Sequence, residues 1–121
     1  MQSFVLERPL YQQTLWFIRR YPGLVERYND MIKIGGMGES ISKGGMPSSP
    51  VENAALRRVA ISVQIAAVDR ALAMIPEAYR DGIMKNITLR IPYPHYAAIN
   101  TWKMWKQRFV FYTAREIGWL Q

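Results

Sequence analysis

The chain contains no cysteine and a single histidine, His95. The first absence excludes disulfides, thiolate chemistry and cysteine-based zinc sites. Together the two exclude ordinary transition-metal centres, which draw several ligands from these residue types. Long hydrophobic runs are also missing. The longest, "VAISVQIAAV" at residues 59–68, is about half of what a bilayer span requires and is interrupted by Gln64. Acidic residues are scarce: nine Asp and Glu stand against sixteen Lys and Arg, for a net charge of +7. Such an excess points to a polyanionic partner, either nucleic acid or an anionic surface. Glu7 and Arg8 precede any apolar run, which does not read as a secretory signal, so the expected location is the cytoplasm, with no membrane partner.

Catalytic constellations are equally scarce. His95 follows Pro94 and reads as a surface or capping residue. Glu26 with Asp30, and Glu77 with Asp81, are carboxylate pairs one helical turn apart. Each has an arginine beside it, Arg27 and Arg80, which suits solvated ion-pairing faces better than acid–base or magnesium chemistry. Ser48 and Ser49 have no base in prospect. The expectation is a protein that is not an enzyme and takes no cofactor.

Among the 121 residues half are hydrophobic, enough for one modest core. Their spacing is helical. "LYQQTLWFIRRY" repeats apolar residues at steps of three and four, and "GLVERYNDMIKI" resumes the period after Pro22, which should stop or kink the first helix and push Tyr21 out of it. Residues 35–50, "GGMGESISKGGMPSSP", hold five glycines and two prolines and read as a flexible linker. A phosphate loop is a poor match, because Ser42 stands where that pattern needs a glycine before Lys43. These signals divide the chain into an N-terminal helical region (1–34), the linker (35–50) and a body (51–121).

The body opens with the clearest element. Ser49, Pro50 and Glu52 have capping-box spacing, and Val51, Ala54, Arg58, Ile61, Ile65, Val68, Leu72 and Ile75 form a heptad seam, widened by Leu56, Val59, Val63 and Ala66. So much apolar face needs partners, either within the chain or in a second copy, and a homo-oligomer through this long helix is one expectation. A short amphipathic helix follows Pro76. An extended segment carrying Pro92 and Pro94 leads into a short helix near His95, and a last helix begins near Thr101. The expected fold class is all-α: a small helical domain with a long central helix and a C-terminal helix-turn-helix.

The last segment, "NTWKMWKQRFVFYTAREIGWL", holds three of the four tryptophans. Trp102, Trp105, Phe109 and Tyr112 share one helical face and should pack. Asn100, Lys103, Lys106 and Gln107 should project outward. Residues 90–121 carry five basic residues and one acidic, so four of the seven net positive charges lie there. Long basic and amide side chains near a helix N-terminus are what a helix-turn-helix sets against phosphates and base edges. The candidate DNA-contacting residues are Arg90, Asn100, Thr101, Lys103, Lys106, Gln107 and Arg108. The turn "RIPYPHYAAINT" lacks the glycine usual in that motif.

The order of elements resembles the RinA-like and ArpU-like regulators of late transcription in phages and prophages of Gram-positive bacteria. The best-matched pieces are "SSPVE", "IPEAYR" and "TWKMWKQRF". The resemblance implies a helix-turn-helix similar to sigma-factor region four, with "IPEAYRDGIMKNI" as its first helix and "TWKMWKQRF" as its recognition helix. It also implies activation of phage late genes in a bacterial cytoplasm, with double-stranded DNA and the host RNA polymerase as partners. The proline-rich "IPYPHY" departs from the polar turn of such motifs. Two alternatives stand beside it: another phage DNA-binding protein, such as a small terminase subunit, or a phage interaction module that inhibits a host protein.

Overall fold

A computed structural model describes residues 3–37 and 49–120 of the chain. Among the described residues there are five α-helices and no strand: α1 Arg8–Arg19, α2 Tyr21–Met37, α3 Ser49–Ala73, α4 Glu77–Leu89 and α5 Ile99–Glu116. The fold is all-α.

α1 ends at Arg19, just before Pro22, and α2 takes over at Tyr21. Pro22 is the second residue of α2, where its missing N–H breaks no helical bond. The ladder closes around it, with the Arg20 N–H donating to Phe17 O at 3.1 Å and the Leu24 N–H to Arg20 O at 2.9 Å. Tyr21 therefore opens α2 instead of leaving the helix. Its hydroxyl donates to Asp69 Oδ1 at 2.6 Å and ties α2 to α3. Burial first, then the bond and charge of Asp69, push the Tyr21 phenol up to about 12.

The N-terminal helices belong to the body. Leu15, Phe17 and Ile18 of α1 join Val68 and Ala71 of α3, Ile75 just after it, Ile83 and Ile87 of α4, and Trp102, Phe109, Val110 and Tyr112 of α5 in one buried cluster. α1 packs against α4 and α5, and α2 against α3. Of the expected linker, residues 35–37 complete α2 and residues 49–50 open α3. Residues 38–48 lie outside the described residues, as do the side chains of the capping residues Ser49 and Glu52 and of seam residue Val51.

The seam of α3 is intramolecular along its C-terminal half: Ile61, Val68 and Ile75 are buried, and Leu72 packs on the cluster. Leu56, Val59 and Val63, on the flank of that seam, are exposed. Arg80 crosses from α4 to the end of α3, where its guanidinium donates to Ile75 O at 2.7 Å and Ala73 O at 3.1 Å. A cation there satisfies orphan carbonyls and complements the negative end of the helix dipole. Arg80 has this role in place of the expected pairing with Glu77 and Asp81; Asp81 pairs with Lys85 at 3.0 Å.

The helix most enclosed by others is α5, which packs against α1, α3 and α4. It ends in a Schellman motif. Gly118 sits at φ +93°, the Trp119 N–H donates to Ala114 O at 2.8 Å and the Gly118 N–H to Arg115 O at 3.1 Å. That turn brings Trp119 edge-on to Phe17, with ring centroids 5.4 Å apart.

At the other end of α5, Trp102 is fully buried. It fits only because residue 82 is glycine: a Cβ there would lie 2.7 Å from two atoms of the indole ring and 3.1 Å from Pro94 Cδ. Tyr93 stacks on the indole at 5.6 Å, and Tyr79 and Tyr96 meet it edge-on at 4.9 and 5.3 Å. The ring has no free direction in which to yield. Gly82→Ala should therefore destabilise by about 1–3 kcal/mol of overpacking, offset by at most about 1 kcal/mol of helix propensity. Trp102→Ala should cost about 3–5 kcal/mol. Urea denaturation followed by far-UV circular dichroism reads both. A Gly82→Ala midpoint at or above that of the wild type would show that the indole can move aside.

Candidate nucleic-acid interface

The α4–α5 connection spans residues 90–98, longer than the roughly three- or four-residue turn of a helix-turn-helix. Residues 95–97 form a turn, not the expected short helix, and α5 starts at Ile99. The connection is nonetheless held at several points. Asn86 Nδ2 donates to Ile91 O at 3.0 Å, and the Tyr96 hydroxyl donates back to Ala78 O on α4. Tyr93 and Pro94 lie against Trp102 and Gly82 respectively. The proline-rich turn is thus a packing element, with its two tyrosines covering the buried indole.

Arg90 ends α4 in the left-handed conformation, with φ 59° and ψ 32°. A non-glycine residue there costs on the order of 1 kcal/mol, and the exposed side chain gains no burial in return.

On α5 the inward and outward faces separate cleanly. Trp102, Phe109, Val110, Tyr112, Thr113 and Ala114 are buried. Asn100, Lys103, Met104 and Gln107 are exposed, at steps of three, one and three, which is one face over two turns. Thr101 is half-buried beside them.

The other two candidate residues on α5 lie elsewhere. Lys106, expected to project outward, is half-buried and donates to Asn86 Oδ1 at 2.9 Å. Burial, then the nearby Arg19 charge, hold its ammonium below the usual lysine range. The Arg19 guanidinium itself donates to Ile87 O at 3.1 Å, so both cations serve the C-terminal end of α4. Arg108 lies over the Phe4 ring at 4.4 Å and the Trp105 ring at 5.3 Å, a cation–π clamp that holds the N-terminal arm. Trp105 is half-buried, stacked on Tyr79.

Around the row from Asn100 to Gln107 the surface is apolar. Ile99 and Met104 are exposed on α5, Leu89 at the end of α4, and Ile91 and Tyr96 on the connection between them.

A second basic region went unrecognised in the sequence. Between α2 and α3 a groove of about 380 Å³ is lined by Arg20, Leu24, Arg27, Met31, Arg57, Ala60, Ile61 and Gln64. Its α2 residues, Leu24, Arg27 and Met31, follow steps of three and four, which marks a single face, and Arg20 continues it just before α2. Nothing in the chain's order shows which face of α3 lies opposite.

Among the described residues no cluster of His, Asp or Glu could hold a metal ion, and no helix is long and apolar enough to cross a membrane. No protein-family model matches the chain, and no curated protein or solved structure matches it significantly.

Lysines 103 and 106 should consequently behave as opposites. Lys106→Ala leaves a partly buried amide oxygen without its donor and should lower stability by about 1 kcal/mol. Lys103→Ala should stay within about 0.5 kcal/mol of the wild type. Thermal melts of the two variants check this. Equal midpoints would mean the Asn86–Lys106 bond contributes nothing.

Proposed function

We propose that the chain binds double-stranded DNA through the N-terminal half of α5 and acts as a regulator of phage or prophage late genes. The observation that carries the DNA reading is the exposed row Asn100, Lys103, Met104 and Gln107 on a helix whose opposite face is locked into the core. A rigid helix presenting amide and cationic side chains over its first two turns is what major-groove recognition requires. Gln107 and Asn100 are base-reading groups by chemistry, since a carboxamide can bond both the acceptor and the donor edge of adenine. Met104 offers an apolar contact. Lys103 and Arg90 are the phosphate-contacting groups. The net charge of +7 supplies the non-specific attraction that precedes any specific contact. The resemblance to RinA-like and ArpU-like proteins narrows the DNA reading to transcription, with host RNA polymerase as a partner. A small terminase subunit would share the DNA contact but not a footprint at a promoter.

A specific observation favours a second reading. The apolar rim of Leu89, Ile91, Tyr96 and Ile99 beside the row suits a protein partner, as in an interaction module that inhibits a host protein.

A salt titration of duplex binding discriminates. Lys103→Ala and Arg90→Ala should each reduce the salt slope by about one, and Gln107→Ala should cost on the order of 1–3 kcal/mol at the preferred site. Wild type and the Lys103/Arg90 double variant binding alike and weakly at low salt would remove α5 from the DNA site and leave the protein-partner reading in the lead.

Two-fold DNA sites suit a two-fold protein, and the exposed stripe of Leu56, Val59 and Val63 on α3 is the surface on which a second copy would pack. Sedimentation equilibrium at tens of micromolar should give a dimer that Val59→Asp with Val63→Asp converts to a monomer. A monomeric wild type removes the oligomer from the proposal.

A further inference from the structure

Residues 3–7 form an arm outside the helices with an alternating pattern. Ser3, Val5 and Glu7 are exposed, while Phe4 and Leu6 are half-buried against the core cluster. Side chains alone attach it. Among the described residues, the backbone of 3–6 makes no hydrogen bond to any helix. The Val5 N–H donates to Ser3 Oγ at 3.3 Å, and the first bond to a helix is the Tyr11 N–H on Glu7 O at 2.9 Å. An extended segment held in this way opens at a cost set by its two apolar anchors, because no backbone ladder has to break.

The first anchor lands on the recognition face of α5. Asn100, Met104 and Gln107 follow steps of four and three, and the next step of four along the same face reaches Phe111. The Phe4 ring meets Phe111 edge-on at 5.3 Å and Tyr112 at 5.7 Å. It therefore stands on the line of the exposed row, at the turn after Gln107. The Arg108 guanidinium is stacked between the arm and the helix, 4.4 Å from the Phe4 ring centroid and 5.3 Å from that of Trp105. Among the described residues no carboxylate lies within ion-pair distance of it. The next cation along α5 after Lys103 and Lys106 is thus held by an aromatic ring of the arm instead of by an anion.

We infer that the arm is an autoinhibitory strap: closed, it ends the recognition row of α5 at Gln107, and displaced, it extends the row by one turn through Phe111 and releases Arg108 to a DNA phosphate. This rests on the reading of α5 as the DNA-contacting helix and names how that site is regulated. Arg108 has two competing partners. Closed, its faces lie on two rings. Open, its fork meets a phosphate in a bidentate, charge-assisted contact. The apparent affinity for DNA is then lowered by the fraction of molecules whose arm is displaced, so weakening an anchor raises it. Phe4 and Leu6 pack at the edge of the core cluster, and their truncation leaves its buried members in place.

The test is a salt titration of binding to a duplex of about 20 base pairs, made with the full chain and its variants. Phe4→Ala should bind at least about threefold more tightly than the wild type. Its salt slope should be steeper by about one, as one further phosphate contact requires. Leu6→Ala loosens the other anchor without altering the ring on Arg108 and should move both quantities the same way. Adding Arg108→Ala to Phe4→Ala should remove both gains. Circular dichroism checks that each variant keeps the helicity of the wild type. Unchanged or weaker binding by both Phe4→Ala and Leu6→Ala overturns the inference, because the arm then supports α5 or holds Arg108 in place for its partner. A gain that persists without Arg108 overturns it as well. Lys103→Ala separates the two proposals. A wild type whose duplex binding needs Lys103 but gains nothing from Phe4→Ala removes the strap alone. Binding insensitive to Lys103→Ala, in the wild type and in Phe4→Ala alike, removes α5 from the DNA site and the strap with it.

Discussion

The contact on which the rest of the structure depends is the outer edge of the Trp102 ring, Cζ3 and Cη2, against the bare Cα of Gly82. An indole with no side chain opposite it lets α4 and α5 approach closely, and that approach decides where the intervening chain can run. Tyr93, Pro94 and Tyr96 then have one place to go, around the ring, and so the turn between the helices is packed despite its length. The arrangement is not cost-free. The indole N–H of Trp102 is buried without an acceptor, a penalty of order 1–3 kcal/mol. The three tyrosine rings packed on Trp102 offset it, since burial of this size and edge-to-face or stacked geometry favour the assembly.

A helix held this way has little surface left for function. Its buried residues face α1, α3 and α4, and the C-terminal half of its outer side is occupied by Phe4 over Phe111 and Tyr112 and by Arg115 over the Tyr112 ring. What remains open is the row from Asn100 to Gln107. Rigidity and narrowness come from the same cause, and both favour a recognition surface that reads a few groups over one that wraps a partner. The basic residues divide accordingly. Arg19, Lys106 and Arg80 serve helix C-termini inside the fold, Arg108 clamps the N-terminal arm, and of the basic residues on the first half of α5 Lys103 is the exposed one. Counting the charge of the C-terminal quarter therefore overstates what α5 can offer a phosphate backbone.

The positive surface that the fold leaves uncommitted lies largely elsewhere, on the wall between α2 and α3. Exposed basic side chains thus lie in two separate regions, on the outer face of α5 and along the groove between α2 and α3.

How far the sequence reaches is visible in particular residues. Helical spacing, proline positions and the absence of any strand pattern were enough for an all-α fold, for the existence of each helix and for the inward face of α5, because these are local properties of a 3.6-residue period. Asn100, Lys103 and Gln107 were legible as outward-facing for the same reason. Lys106 was not, because its environment is made by Asn86 and Arg19, residues brought to it from two other helices. Arg108 and the aromatic wrap of the proline turn depended likewise on distant partners, as did the groove of Arg20, Arg27 and Arg57, which exists only where one face of α2 meets one face of α3. That Leu15, Phe17 and Ile18 pack into the same core as Phe109 depended on distant partners as well. Periodicity determined which residues could be buried or exposed on each helix. Only tertiary packing decided which helix lies at the centre and which cations remain free, because those outcomes depend on contacts between residues far apart in the chain.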